Sequence, residues 1–423
     1  MSAIPTPTPV ATASRPAPAR QDLGQYVRDY GGRLSGGDIG ALPAVLGLVV
    51  LCGAFAILRP EFVSARNFAN LFTQGAVYAI IAMGLVFVLL LGEIDLSAGY
   101  TSGVCAAVLA VLLSAQVGLP WFVAVPVALL AGALVGLVLG FLVAVVGIPS
   151  FVVTLAAFLG FQGVLLLLIK GGTNVSVTNA VILAIDNRNM PPWLGWVLFA
   201  VAVGWYAAVQ VLRVRGRIRR GLVAEPTALI ALRVGGLALL LGGSVYVLNL
   251  ERSRSVLFAS LRGVPIVVPV IGLLLVLWTF VLGRTAYGRH IYAVGGNREA
   301  ARRAGIDVDA IRISAFVICS TMAAVGGIVA ASRANSVDPN TGGSNVLLYA
   351  VGAAVIGGTS LFGGKGRVRD AVLGGAVVTV IENGMGLMGY SAGIKYVVTG
   401  TVLLLAAGVD ALSRRRAAAT GLR

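Results

Sequence analysis

Chemistry-bearing side chains are scarce in this 423-residue chain, which holds three cysteines, one histidine and 16 acidic residues. Cys52, Cys105 and Cys319 each stand in an apolar run with no CxxC pair, which excludes a disulfide framework or a zinc site. A single histidine, His290, excludes a histidine-based metal or catalytic centre. No GxxxxGK[ST] phosphate loop is present. The nearest stretch, Gly363-Gly364-Lys365-Gly366, lacks the leading glycine at the right distance and the trailing hydroxyl that would hold Mg²⁺. HExxH is missing as well. The sequence therefore assembles no nucleophile, base or metal set for catalysis, and any use of ATP requires another chain.

Charge is also sparse. Charged residues make up 11% of the chain and hydrophobic ones 58%, against about 25% charged in soluble domains. Twelve apolar stretches account for the excess, at about 41–58, 69–91, 97–115, 121–146, 149–169, 193–212, 228–250, 264–283, 313–332, 345–362, 370–388 and 393–412. A barrel would show alternating strands of about ten residues, whereas these runs have the length of membrane helices. Glycine and alanine within them suit close helix packing in lipid. The expectation is an all-α polytopic transmembrane bundle over 41–412. A Pro/Ala/Thr-rich segment, 1–40, has no apolar core and reads as a disordered cytoplasmic tail; 413–423 reads as a second cytoplasmic tail.

A net charge of +16 invites a nucleic-acid reading, but its distribution argues otherwise. Alternate loops, counted from the amino-terminal tail, hold 22 of the 32 basic residues, and the intervening loops hold eight. That asymmetry places both termini inside and makes the charge an orientation signal. No nucleic-acid partner is expected; the surrounding partner is membrane lipid.

The long inside loop, 284–312, contains a helix signature. Asn297 can cap free N–H groups, Glu299 sits in the first turn, Arg302 and Arg303 in the last, and Gly305 can take the left-handed position that ends a helix. Glu299 and Arg303 stand four apart in the favourable order. The small face of Ala300, Ala301 and Ala304 is too weakly hydrophobic for lipid. It suits docking into a groove on a partner, although a solvated connector has the same composition.

Two carboxylates, Glu93 and Asp95, interrupt nearly fifty apolar residues in GEIDLSAG (92–99). A charge at the bilayer centre costs at least about 2.5–3.5 kcal/mol, so such groups face a polar cavity or the interface. Flanking glycines and Ser97 allow a broken helix lining a pathway; a short turn with Asp95 capping the next helix fits equally. GGTSLFGGKG (357–366) repeats the theme of a glycine-rich polar break on the same side. Glu382 and Asn383, followed by Gly384, mark either a pathway helix or a helix–helix hydrogen bond.

Four stretches, GEIDLSAG (92–99), IPSFVVTL (148–155), GRHIYAVGGN (288–297) and GGTSLFGGKG (357–366), resemble in order the sugar-importer permease family that includes the ribose and xylose permeases. Glu299-Ala300-Ala301 with Gly305 resembles the opening of the EAA loop of ABC importer permeases, without its apolar and proline continuation. Extra material around 193–263 makes the chain more similar to the longer xylose-type members, with two spans added to a ten-span core. The resemblance implies half of a translocation pore for a monosaccharide, of xylose or another pentose, working as a homodimer. It further implies an ABC ATPase subunit, carrying ATP and Mg²⁺ itself, docked at Asn297, Glu299, Ala300, Ala301, Arg303 and Gly305. An extracytoplasmic sugar-binding protein would serve the other face. Glu93, Asp95, Ser97, Glu382 and Asn383 are the candidate pathway residues. Nucleoside or branched-chain amino acid cargo is the nearest alternative, and an ion-coupled secondary transporter a more distant one.

Overall fold

The computed structural model describes Gly24 and residues 42–170, 172–221, 226–253 and 260–419. Apart from Gly24, the expected amino-terminal tail lies outside the described residues. The chain runs α1 (Leu42–Leu58), a 3-10 turn (Pro60–Val63), α2 (Ala65–Leu90), α3 (Ala98–Leu113), α4 (Trp121–Ala144), α5 (Ser150–Leu168), β1 (Val175–Ser176) and α6 (Ala180–Asn187). It continues α7 (Pro192–Arg219), α8 (Thr227–Asn249), α9 (Val267–Arg284), α10 (Ala286–Gly296), α11 (Arg298–Arg303), α12 (Val308–Ala334), β2 (Ser336–Val337), α13 (Ser344–Ile356), α14 (Val368–Leu387) and α15 (Ala392–Ala419). Among the described residues, eight helices are long and apolar enough to cross a membrane: α2, α4, α5, α7, α8, α9, α12 and α14. The other four expected spans are the shorter apolar helices α1, α3, α13 and the first half of α15. This is an all-α polytopic bundle; a small sheet among the described residues is the antiparallel pair β1–β2, with Val175 opposite Val337 and Ser176 opposite Ser336.

Two compact units are present. One comprises Trp196–Ser244, most of α7 and α8, where Phe199 packs against Gly242. The other holds the described residues from Leu42 to Gly195 and from Val245 onward. Within this second unit the chain leaves and returns side by side. The Met190 N–H donates to the Val264 carbonyl at 2.8 Å and the Ile266 N–H to the Arg188 carbonyl at 3.0 Å. Ends held this close let an intervening segment be added without displacing the elements on either side.

Burial orders the second unit. Most of α2, α12 and α14 is enclosed, whereas α5 and α9 keep most of their apolar surface outward, as helices bathed in lipid tails do. The enclosed core gathers Ile80, Met83, Phe87 and Leu90 of α2, Phe316 and Cys319 of α12, and Ala350 and Ala353 of α13. Small residues permit that density. A Cβ on Gly103 of α3 would strike the Thr341 carbonyl, so the segment entering α13 lies directly on the α3 backbone. The two helices joined there are short: 16 residues in α3 and 13 in α13, or about 24 and 20 Å against a hydrocarbon core of about 30 Å. Each adjoins one of the two polar breaks.

Candidate functional site

The inner end of α2 organises the site. Gly92, at φ +71°, stops the helix: its N–H returns to the Leu89 carbonyl and the Glu93 N–H to Val88, a helix-ending pair that needs a left-handed residue. The other break starts the same way, with Gly358 at φ +109° and bonds from Gly358 to Val355 and from Thr359 to Ala354. After Glu93 the chain restarts at once. Asp95 Oδ1 accepts from the Ser97 N–H at 2.9 Å and from the Ser97 hydroxyl at 2.6 Å, so a carboxylate only 1% exposed opens α3.

All four sequence motifs meet around this break. From α5, Ser150 Oγ accepts the Ile94 N–H at 3.2 Å and the Thr154 hydroxyl donates to the Ile94 carbonyl at 3.2 Å. From the 357–366 turn, the Gly364 N–H donates to the Leu90 carbonyl at 2.8 Å. From α10, Gly295 lies so close to the Leu90 carbonyl and the Gly364 nitrogen that a Cβ would strike both. The Leu90 carbonyl, the last of α2 and without a partner within the helix, is thus taken up by a neighbouring segment.

Glu93 then ties this junction to the inside loop. Its Oε1 accepts from Arg298 at 2.8 Å and from Arg312 at 2.7 Å, while the residue is only 5% exposed. Arg298 also donates to the Leu91 carbonyl at 3.0 Å, and Arg312 to the Ala144 carbonyl at the end of α4. Two cations therefore sit at helix C-termini, where the dipole favours them, and together they neutralise a carboxylate that would be costly to bury alone. Neither arginine was among the residues singled out from the sequence. The sequence signal for them is the concentration of basic residues in the inside loops.

The expected short helix is present as α11. Asn297 caps it by accepting the Ala300 N–H at 2.9 Å, and Gly305 ends it at φ +81° with the Ile306 N–H bonded to the Ala301 carbonyl. Arg303 donates to Glu299 at 3.1 Å. Asn297, Glu299, Ala300, Arg303 and Gly305 are exposed, whereas Ala301 turns into the protein's own core and leaves Ala300 and Ala304 as the outward small face. The rest of the loop is not extended chain. Thr285 caps α10 through the Gly288 N–H, and Ile291 and Val294 bury one face of it.

Toward the other end of the bundle lies a second polar group. On α2, Asn70, Thr73, Gln74 and Tyr78 follow helical spacing along one face. Arg333 of α12 donates to Thr73 Oγ1 at 2.9 Å and to Asn70 at 3.4 Å. Tyr78 meets Tyr349 of α13 edge to face at 5.2 Å, and both rings adjoin Glu382 of α14. Glu382 Oε2 is enclosed and accepts no hydrogen bond among the described residues. Asn383, one residue on, instead clamps helices. It exchanges two amide bonds of 2.9 Å with Asn67 and donates to Gln74 at 3.2 Å.

Outside the spans, Asp186 of α6 faces Arg333 at 3.7 Å. Burial pushes its carboxyl up to about 7, with the Arg333 charge and hydrogen bond opposing.

Residues 67–407 match the family described as branched-chain amino acid transport system / permease component. The chain belongs to this permease family. It is 38% identical over 363 residues to the xylose transport system permease protein XylH of Escherichia coli strain K12, covering 84% of this chain and 87% of that protein. The Haemophilus influenzae xylose transport system permease protein XylH is 31% identical over 373 residues, 88% of this chain and 96% of its own length. The ribose import permease protein RbsC of Escherichia coli strain K12 is 30% identical over 367 residues, 87% of this chain and 92% of that protein. No solved structure matches. The protein is a multi-pass permease of the bacterial inner membrane and a transport subunit rather than an enzyme.

Proposed function

We propose that this permease carries a monosaccharide, xylose or another pentose, inward as the transmembrane subunit of an ATP-driven ABC importer. The chain works as a homodimer, each copy meeting one subunit of a separate ATPase that supplies ATP and Mg²⁺. An extracytoplasmic binding protein delivers the sugar. Similarity to the xylose permeases over most of both chains supports the cargo class. The observation that carries the mechanism is α11, an exposed and doubly capped helix whose first residue grips the end of α2.

In this reading Asn297, Glu299, Ala300, Arg303 and Gly305 meet the ATPase, with Ala301 anchoring the helix from behind. Sugar passes along the polar face of α2, where Tyr78, Tyr349 and Glu382 offer ring faces to C–H groups and a carboxylate to hydroxyls. Glu93 belongs to the inner tie, Asp95 and Ser97 to the start of α3, and Asn383 to the packing of α14 on α2.

The test is reconstitution of the permease with its ATPase and binding protein. Glu299→Lys and Gly305→Pro are expected to abolish co-purification of the ATPase and uptake of labelled D-xylose while membrane insertion persists. Undiminished co-purification and uptake in both variants would overturn the docking role. Uptake of nucleosides or of branched-chain amino acids in place of D-xylose and other pentoses would overturn the cargo.

A further inference from the structure

Resting on the docking role of α11, we propose that the Arg298–Glu93 pair is a releasable latch that carries movement of α11 into α3 and α13. Glu93 is its positioning residue. The geometry supplies each link. Arg298 is the first residue of α11, and its guanidinium holds both Glu93 and the Leu91 carbonyl. Glu93 stands on the short segment between the end of α2 and the Asp95–Ser97 start of α3. The first turns of α3 lie on the backbone that enters α13: beside Gly103 is the Thr341 carbonyl, and beside Gly99 that of Gly342. In turn α13 carries Tyr349, which touches Tyr78 and adjoins Glu382.

The two arms on Glu93 differ in a way that suits a latch. The Arg312 side chain is 14% exposed and also bonds the end of α4, so that arm is fixed within the bundle. The Arg298 side chain is 45% exposed. Water can replace Glu93 around it, so this arm opens without stranding a buried charge. When it opens, Glu93 keeps its partner in Arg312. The break keeps its fold while α11 moves independently of α3. Closing the arm makes α11, the break and α3 move together.

The distinguishing readout is sugar delivered per ATP hydrolysed, measured with D-xylose and the reconstituted importer in proteoliposomes. A merely structural residue changes how much importer folds, which lowers transport and hydrolysis together and leaves that ratio in place. Arg298→Gln and Glu93→Gln are each expected to lower the ratio at least fivefold. The double variant is expected to fall no further than Glu93→Gln alone, because that substitution already removes the Arg298 contact along with the Arg312 one. An unchanged ratio in Arg298→Gln, or losses that multiply in the double variant, would overturn the latch. If Glu93→Gln fails to fold, Arg298→Gln alone decides, since it leaves Glu93 paired with Arg312. The docking role is judged separately: ATPase co-purification that ignores Glu299→Lys removes it. A normal ratio with intact α11-dependent docking removes only the latch.

Discussion

The amide clamp between α2 and α14 gives a perturbation whose size follows from the structure. Asn383→Ala removes three interhelical hydrogen bonds, two shared with Asn67 and one with Gln74. Such bonds in membrane proteins average about 0.6 kcal/mol each and reach about 1.7, so the expected loss is about 2 kcal/mol. Asn67→Ala removes the same two shared bonds and also the donation to the Phe62 carbonyl at 3.0 Å. Its expected loss is likewise about 2 kcal/mol. The substitutions are not independent, because each strands the partner's buried amide and the double variant strands neither. The double variant is therefore expected to fall about 1 kcal/mol or more short of the sum of the singles. The assay is reversible unfolding of the detergent-solubilised protein, run as a double-mutant cycle. Strictly additive losses would show that the two side chains do not bond and would refute the clamp.

Two further outcomes follow from the described geometry. The folded protein holds a proton on Asp186 up to about pH 7, above the ordinary aspartate value of 3.8. The stability this contributes is complete below the ordinary value, declines as pH rises and is gone above about 7. Relative to Asp186→Asn, the unaltered protein should thus gain thermal stability between pH 8 and pH 5; a pH-independent difference would exclude the raised value. At the inner junction, Gly295→Ala sets a Cβ against backbone on two sides and is expected to cost about 1–3 kcal/mol. Gly296→Ala, with open space around it, should stay within about 0.5 kcal/mol. Equal melting temperatures for the two variants would show that the junction is looser than described.

The α10 helix illustrates what local reading passes over. Its stretch, 286–296, holds three glycines and two tyrosines among few apolar residues and reads as part of a polar loop, yet Ile291 and Val294 have a core to enter. Burial on one face outweighs weak helix propensity, and nothing within eleven residues reports whether a core is there. In α11, by contrast, each deciding contact lies within about five positions. The Asn297 cap, the Glu299–Arg303 pair and the Gly305 stop could therefore all be read directly.

The same distinction separates the rest of the protein. Hydrophobic run length and local capping are properties of neighbouring residues, so the spans and α11 were determined by the sequence itself. Glu93 has a different character. From its surroundings it reads equally as a pathway carboxylate or a turn residue, because the two arginines that define it stand 205 and 219 positions away. Only the folded bundle brings them to it. It also brings the four motifs onto one break, where unpaired carbonyls at a helix end are satisfied by whichever segments packing places there.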